Sequence, residues 1–288
     1  MTGRERFAAG AARLAAAGID EAENDARLLA LAASGLSLAG FLLHQEEPWD
    51  GESAEAFCAL IARRETREPL QYILGQTEFM GLAFAVGPGV LIPRQDTETL
   101  AERVLADQRR YWPEGASLFD LCTGSGALAL SLAKLGRFAP VTASDLTEEA
   151  LAYARKNAEK LGLPDVDFRQ GDLFDPLKKG EKYDIIVSNP PYIREGDREE
   201  LAPEVRTFEP EEALFAGADG LAFYRRIAAE APAHLKPGGR LYLEIGYDQS
   251  EAVRTLLAEA GFCGIEILND LAGRTRAAAA RRPGETHV

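Results

Sequence analysis

From residue 117 onward, short apolar runs alternate with longer segments in which apolar residues recur at every third or fourth position. The short runs predict seven strands, at residues 117–122, 141–145, 165–169, 183–188, 239–246, 263–268 and 274–280. The longer segments predict helices over roughly residues 126–136, 148–161, 219–235 and 249–260. Alternation of this kind is typical of a parallel α/β sheet, so we expect one in this part of the chain.

The N-terminal part shows the helical period alone, and residues 4–66 predict a small helical bundle. Two apolar stripes support it, the first at Ala22, Ala26, Leu29 and Ala33 and the second at Ala54, Phe57, Cys58 and Ile61. The bundle carries no catalytic constellation. Its period does not distinguish a packing role from the docking of a partner.

Several residues are suited to begin or end these helices. Asp20 and Glu23 have the spacing of a capping box, in which two side chains satisfy the first free N–H groups. Asp50 or Ser53 is suited to cap a later helix, and Gly35 is suited to end one.

The character of the chain changes between residues 69 and 93, where short apolar runs are joined by glycines and predict a β-hairpin. The helical period returns from Thr97 to about Gln108. We therefore divide the chain into a helical substrate-docking domain at residues 1–76, a hairpin linker at 77–92 and an α/β domain at 93–288.

Composition narrows the possible functions. The 288 residues carry 32 Lys and Arg against 46 Asp and Glu, a net charge of −14 that disfavours general binding to nucleic acid. Three widely spaced cysteines argue against a disulfide framework, and three scattered histidines indicate no metal site. No stretch approaches the ~18 uncharged apolar residues that a spanning helix needs. We expect a soluble, cytoplasmic protein that does not bind membranes.

The predicted strand at 183–188 is followed at once by Asn189, Pro190, Pro191 and Tyr192. Two prolines stop a sheet ladder and hold the backbone extended, at the strand end where open α/β sheets place their ligands. The Asn189 side chain and the proline carbonyls offer acceptors, and Tyr192 offers a flat ring. Such a loop can hold a planar –NH2 group, although by itself it also fits an ordinary turn.

The first predicted strand of the sheet ends in a loop of small residues. Asp120 lies just before this loop and, after Leu121, the loop holds Cys122, Thr123, Gly124, Ser125 and Gly126. Glycines let a ligand approach the backbone closely. The loop also fits the looser form of the dinucleotide fingerprint, so a nicotinamide or flavin enzyme stays open. The carboxylate of Asp120 favours a cationic ligand over a pyrophosphate.

Two further strand ends carry acids. Asp145 ends the second strand and can accept both hydroxyls of a ribose; capping the next helix is the alternative, although Thr147 is free to do that. Asp172 follows the third strand, where it can accept from an adenine amino group while Leu173 packs on the ring. An ordinary polar loop explains the latter pair about equally well.

Together, the ordered strand ends resemble the class I methyltransferases that use S-adenosylmethionine, over about residues 93–288. The resemblance implies that the loop from Asp120 to Gly126 surrounds the methionine part, Asp145 holds the ribose, and the Asp172–Leu173 region meets the adenine. In that superfamily, Asn-Pro-Pro-Tyr looks like the signature of transfer to a nitrogen conjugated to a π-system. Such a nitrogen is an adenine amine or a glutamine amide.

The chain as a whole resembles the protein-glutamine N5-methyltransferases of class 1 peptide chain release factors. The matching stretches are residues 69–75, residues 91–94 with Thr97 and Glu98, the cofactor loop, and residues 188–193. The resemblance implies an enzyme acting on the glutamine of the release factor's Gly-Gly-Gln loop, and we expect the enzyme to be a monomer. It implies that Asn189, Pro190 and Tyr192 act in catalysis, that Pro191 also contacts the substrate, and that Asn189 also contacts the cofactor. Cys122 departs from the family's usual glycine, and Gln95 from a frequent proline.

Other functions stay open at this point. Methylation of a glutamine in a ribosomal protein would use the same chemistry. An adenine-N6 methyltransferase shares the tetrapeptide but usually needs a basic, aromatic recognition domain, which this acidic chain lacks. An oxidoreductase or a noncatalytic binding module would leave Asn189–Tyr192 without a task.

Overall fold

A computed structural model describes residues 1–270 and 272–284, and they form two compact units. The first comprises Met1–Gln76 and Ala202–Phe208; the second comprises Thr77–Leu201 and the described residues from Glu209 onward. The sequence pattern does not predict that the short segment Ala202–Phe208 belongs to the first unit. The functional division of the chain into docking, linker and transferase segments stays a prediction.

The first unit is helical, as predicted. Its helices are α1 (Gly3–Ala16), α2 (Ala22–Ser34), α3 (Leu38–His44), α4 (Gly51–Glu65), α5 (Leu70–Leu74) and, from the later segment, α9 (Pro203–Phe208). Asp50 caps α4 by accepting from the Ser53 N–H at 2.7 Å, and Gly35 ends α2 in the left-handed conformation. Both predictions about these helix ends are confirmed.

Two predictions about this unit are wrong. The proposed capping box at Asp20 and Glu23 does not form, because α2 begins one residue later, after Glu21, and has no side-chain cap. Cys58 is exposed instead of buried. The buried face of α4 follows steps of three and four residues through Phe57, Ile61 and Arg64, which turns position 58 toward solvent.

A buried ion network holds α2, α4 and α9 together. Arg64 is 7% exposed, and its Nε lies 2.8 Å from Oδ2 of Asp25, which is 5% exposed. Its Nη2 lies 3.0 Å from Oε1 of Glu204, and Arg67 reaches the other Glu204 oxygen at 2.8 Å. Each desolvated charge has an opposite partner, so removing one charge would leave the others buried without a partner.

The second unit begins with a two-stranded sheet of β1 (Gln76–Phe79) and β2 (Leu82–Ala85). The two residues between the strands, Met80 and Gly81, both have positive φ angles, of 52° and 72°. This is the pattern of the tight primed turn that suits the twist of a hairpin.

A seven-stranded sheet forms the centre of this unit. Its strands are β3 (Ala116–Leu121), β4 (Phe138–Asp145), β5 (Asp167–Gln170), β6 (Tyr183–Ser188), β7 (Leu235–Glu244), β8 (Cys263–Asn269) and β9 (Thr275–Arg281). Their spatial order is β5-β4-β3-β6-β7-β9-β8. The pairs β4–β5, β3–β4, β3–β6 and β6–β7 are parallel, while β9 runs antiparallel to β7 and β8. The predicted α/β sheet is confirmed, with one reversed strand.

Helices cover both faces of the sheet. They are α6 (Asp96–Tyr111), α7 (Ala127–Leu135), α8 (Glu148–Leu161), α10 (Ala222–His234) and α11 (Ser250–Glu259). Successive strand residues point to opposite faces, so Leu118 packs in the core formed with α6, α7 and α8, and Phe119 in the core formed with α10 and α11.

The chain order makes the ends of β3 and β6 a natural binding place. The chain runs outward from β3 to β5 and then returns to add β6 on the other side of β3. Connections therefore leave β3 and β6 in opposite directions and open a crevice at their carboxyl ends. This edge of the sheet collects the loops that the sequence singled out.

The connection from β6 to α10 holds elements that the sequence pattern does not predict. It contains short 3₁₀ turns at Glu195–Glu200 and Glu211–Ala213 on either side of α9. Within the described residues, no single helix is long and apolar enough to cross a membrane; α2 and α3 satisfy that test only jointly, across a bend of 88°.

Replacing Arg64 with alanine tests the ion network of the first unit. The change leaves Asp25 buried without its partner, so we expect a loss of about 3–5 kcal/mol in the unfolding free energy of this unit. Denaturant unfolding in a Trp112→Phe background, where Trp49 alone reports on the first unit, measures it.

The matched control is Arg63→Ala. Arg63 pairs with Glu68 from a half-exposed position, where ion pairs contribute under about 1 kcal/mol. Equal losses for the two variants would contradict a structural role for the buried pair.

Candidate active site

The loop after β3 brings backbone close to an open space. Cys122 and Gly124 have φ angles of 58° and 55°, and Gly126 one of 79°. A Cβ at Gly126 would lie 2.9 Å from a side-chain carbon of Leu130, so only glycine fits there. Cys122 adopts a left-handed conformation that costs a non-glycine residue about 1–2 kcal/mol. A glycine, which the resemblance found in the sequence implies for this position, would avoid this strain.

Asp120 is the most deeply buried acid of the loop, at 1% exposure. Its Oδ2 accepts from the Thr123 hydroxyl at 2.6 Å and from the Ala129 N–H at 3.2 Å. Its Oδ1 is buried and has no hydrogen-bond partner. Burial raises the pKa of Asp120 to about 7, against the effect of these two donors. The site thus holds a carboxylate oxygen that lacks a partner.

Asp145 ends β4 beside this loop. Its Oδ2 accepts from the Gly124 N–H at 2.9 Å, and its Oδ1 accepts from the Thr147 N–H at 3.1 Å. Burial raises its pKa although these N–H groups oppose the shift. Thr147 caps α8 by accepting from the Ala150 N–H at 3.2 Å. Asp145 is therefore not the cap of that helix.

Asp172 and Leu173 follow β5. The Oδ2 of Asp172 forms an ion pair with Arg226 at 2.8 Å. Leu173 is buried, with a φ angle of 50°, and belongs to the core under α10. The ion pair with Arg226 was not foreseen, and it occupies one oxygen of the acid that the sequence assigned to adenine.

Asn189, Pro190, Pro191 and Tyr192 follow β6 and belong to no helix or strand. The Nδ2 of Asn189 donates to the Thr97 hydroxyl at 3.4 Å. Within the described residues, no group donates to the Oδ1 of Asn189 or to the carbonyl of Pro190. Two acceptors are thus open, as the sequence analysis proposed for an –NH2 group.

Thr97 and Glu244 are site residues that the sequence analysis missed. Thr97 begins α6 and donates its hydroxyl to Oε2 of Glu244 at 2.5 Å. Tyr192 donates its hydroxyl to Oε1 of the same carboxylate at 3.2 Å. Glu244 ends β7 at 1% exposure. Burial raises its pKa to about 7, although donors and the Arg276 cation oppose the shift. Glu244 lies near the end of the strand predicted at residues 239–246, and an acid in an otherwise apolar strand was the signal that could have found it.

A cavity of about 300 Å³ joins these groups, all within the second unit. It is lined by most of the predicted residues, namely Asp120, Cys122, Thr123, Gly124, Ser125, Asp145, Asp172, Leu173, Asn189 and Pro191. Of the groups described above, Gly126, Pro190, Tyr192 and Glu244 do not line it. Among residues 1–270 and 272–284, no cluster of three or more potential ligands could hold a metal ion.

Known proteins match the chain along nearly its whole length. A family model of the PrmC N-terminal domain matches residues 5–75, and one of a methyltransferase domain matches residues 114–266. The release factor glutamine methyltransferase of Geobacter sulfurreducens is 43% identical over 93% of this chain and 92% of its own length. This chain belongs to that family. The relative from Cereibacter sphaeroides is also 43% identical, over 98% of this chain and 99% of its own.

A solved structure shows the same fold at lower identity. The T. thermophilus 16S rRNA N2 G1207 methyltransferase, in complex with AdoMet and guanosine, has a TM-score of 0.53 and 24% identity. It covers 72% of this chain and 49% of that one. Membership in the release factor glutamine methyltransferase family confirms the resemblance found in the sequence and decides against an oxidoreductase.

Asp120→Asn tests the unpartnered carboxylate. The folded-state pKa of Asp120 is raised, so ionisation of this group destabilises the fold as pH rises from about 4 to 7. The asparagine variant escapes that cost. We expect its melting temperature without ligand to match the wild type near pH 4 and to exceed it above pH 7.

The gain has an upper bound of about 4 kcal/mol, since each pKa unit corresponds to about 1.4 kcal/mol. Thermal unfolding across pH 4–8 measures it. A gain that did not change with pH would mean that the charge of Asp120 is not its cause.

Proposed function

We propose that this protein transfers a methyl group from S-adenosylmethionine to the side-chain amide nitrogen of the glutamine in the Gly-Gly-Gln loop of peptide chain release factors. Family membership supports the reaction class. The observation that carries the proposal is a single cavity lined both by Asp120, whose buried Oδ1 lacks a hydrogen-bond partner, and by Asn189.

The residues present fit S-adenosylmethionine. This group supplies an electrophilic methyl on a positively charged sulfur. The unpartnered Oδ1 of Asp120 matches the ammonium of its methionine part, and the N–H of Ser125 in the same loop matches its carboxylate. The Oδ2 of Asp145, which accepts from the Gly124 N–H, keeps a lone pair for a ribose hydroxyl, whereas its Oδ1 accepts from both the N–H and the hydroxyl of Thr147. Asp172 and Leu173 border the adenine side.

The loop after β6 would hold the glutamine amide. The Oδ1 of Asn189, inside the cavity, would accept one amide N–H. The carbonyl of Pro190 and the ring of Tyr192, which lie outside the cavity lining, would accept the other N–H and cover the amide plane once the substrate is bound. Such acceptors favour the pyramidal nitrogen, whose lone pair is released from resonance for attack. The nitrogen gains a methyl and loses one proton, which a cationic N-alkyl amide releases to water without a strong base. Positioning therefore supplies most of the catalysis.

The proposal also covers the protein substrate, the oligomeric state and the location in the cell. We propose a release factor as the protein substrate, docked by the helical N-terminal segment, and a monomeric enzyme acting in the cytoplasm. The net charge of −14 supports a protein substrate over a nucleic acid, since it repels phosphate backbones.

A labelling experiment tests the substrate. The protein is incubated with methyl-labelled S-adenosylmethionine and, in parallel, with a release factor, the same factor with its Gly-Gly-Gln glutamine changed to alanine, ribosomal proteins, and DNA. We expect label in the unchanged release factor alone. Label in DNA or in ribosomal proteins instead would assign one of the other two substrates.

A pair of variants tests the roles of the two sides of the cavity. Asn189→Ala removes an acceptor that stabilises the reacting nitrogen, so kcat should fall about 100-fold or more while the cofactor Kd changes little. Asp145→Ala removes bonds to the ribose, so the cofactor Kd should rise about 10- to 100-fold.

Calorimetric titration and steady-state kinetics measure both effects. Loss of cofactor binding in Asn189→Ala, or an unchanged Kd in Asp145→Ala, would overturn the assignment of these roles.

A further inference from the structure

A chain of three side chains leads from β7 to the Asn189 carboxamide. Glu244 accepts from Thr97 at 2.5 Å, and the Thr97 oxygen accepts from the Nδ2 of Asn189 at 3.4 Å. Glu244 and Thr97 are 1% and 5% exposed, so water does not compete for the bond between them. The bond from Asn189 to Thr97 is partly buried. Thr97 thus links the Glu244 carboxylate to the Asn189 amide through two hydrogen bonds.

The direction of these bonds decides which end of the amide faces the cavity. An ionised carboxylate can only accept, so Thr97 must donate its single proton to Glu244. The Thr97 oxygen is then left as an acceptor, and it selects the NH2 end of the Asn189 amide. The oxygen end of that amide turns away from Thr97 and stays open.

We propose that Glu244 and Thr97 are positioning residues that fix the Asn189 carboxamide with its oxygen toward the substrate nitrogen. The inference rests on the proposed function, because it gives Asn189 an amide N–H to accept. Without this chain the Asn189 amide could rotate by half a turn and present its NH2 group. Two NH2 groups would then face each other, and the substrate would lose its acceptor.

The end of β7 also contacts Tyr192, the last residue of the loop that begins with Asn189. Glu244 accepts from the Tyr192 hydroxyl, and Gln249 donates to the Tyr192 carbonyl at 2.9 Å. The Oε1 of Gln249 is itself held by the Gly246 N–H at 3.0 Å and by the Tyr224 hydroxyl at 3.3 Å. The segment from Glu244 to Gln249 thus braces both Asn189 and Tyr192.

Protonation of Glu244 would allow the hydrogen bonds between Glu244, Thr97 and Asn189 to reverse their direction. A neutral carboxyl can donate to Thr97, which frees the Thr97 proton to bind the Asn189 oxygen. The charged and titratable groups facing Glu244 are Tyr192, Arg276 on β9 and Asp96 at the start of α6, with Tyr224 on its backbone carbonyl. Because burial raises the pKa of Glu244 to about 7, the carboxylate needed for this alignment is present above pH 7 and is lost below it.

The first test is the pH profile of kcat between pH 5.5 and 8.5. Both S-adenosylmethionine and a release factor are kept saturating, so that titration of Asp120 does not contribute through cofactor affinity. We expect wild-type kcat to fall about tenfold per pH unit below the pKa of Glu244. Glu244→Gln should be slower at pH 8 and should lack this acid limb. The matched control Asp107→Asn removes another buried carboxylate that accepts from a tyrosine, at 2.8 Å, and should keep the limb.

The second test removes the relay hydroxyl. Thr97→Val should lower kcat about 100-fold, the effect expected of a misplaced reacting group, while the Kd of S-adenosylhomocysteine stays within about threefold. Thr97→Ser keeps the hydroxyl and should recover most of the activity. The matched control Thr142→Val removes a buried hydroxyl elsewhere in the sheet, one that accepts from Tyr183, and should keep wild-type kcat.

The outcomes separate this proposal from the function beneath it. An acid limb retained in Glu244→Gln, or wild-type kcat in Thr97→Val, would overturn the positioning role while leaving methyl transfer intact. A wild-type protein that labels no release factor would instead remove the proposed function. If Thr97→Val does not fold, the comparison of Glu244→Gln with Asp107→Asn still decides the matter.

Discussion

The burial of carboxylates at the carboxyl edge of the sheet is the constraint on which the site depends. Asp120 is the last residue but one of strand β3 and Glu244 ends β7, and each is 1% exposed. Desolvation raises the pKa of both to about 7, so each ionises only at a cost to the fold. A protein keeps such groups where a ligand or a neighbouring donor offsets the cost. The two acids differ in their hydrogen bonds. Both oxygens of Glu244 accept a bond, from Thr97 and Tyr192, whereas one oxygen of Asp120 has no partner.

Backbone strain is concentrated at the same edge. Four described non-glycine residues have a positive φ, and two of them, Cys122 and Leu173, line the cavity. Conformations of this kind persist only where the surrounding structure holds them. Here the tight packing of Gly126 against Leu130 and the buried side chain of Leu173 supply that support. Packing within the protein itself thus holds these strained positions of the cavity wall.

The segment after the Asn-Pro-Pro-Tyr loop has a place in both units of the chain. Residues 202–208 belong to the helical unit, where Glu204 joins the buried network of Arg64 and Arg67. Glu209 follows directly and lies in the second unit, where it pairs with Arg94 at 2.5 Å. The chain between β6 and α10 is thus tied to each unit by charge, and no apolar period in the sequence marks it.

The amino-acid sequence by itself determined the α/β sheet, the helical N-terminal part, the strand ends that carry the site, and the family. Those features follow from local periodicity and from residues that are neighbours along the chain, such as Asn189 to Tyr192. Only the tertiary structure decided the partners of these residues. The contact of Thr97 with Glu244 joins residues 147 positions apart, and the network of Arg64 with Glu204 joins residues 140 apart. The exposure of Cys58 and the absence of the predicted cap at Asp20 depended on one-residue differences in helix register, which periodicity does not resolve. Hydrogen-bond partners and burial arise from the packing of distant segments, and no local pattern of residues specifies them.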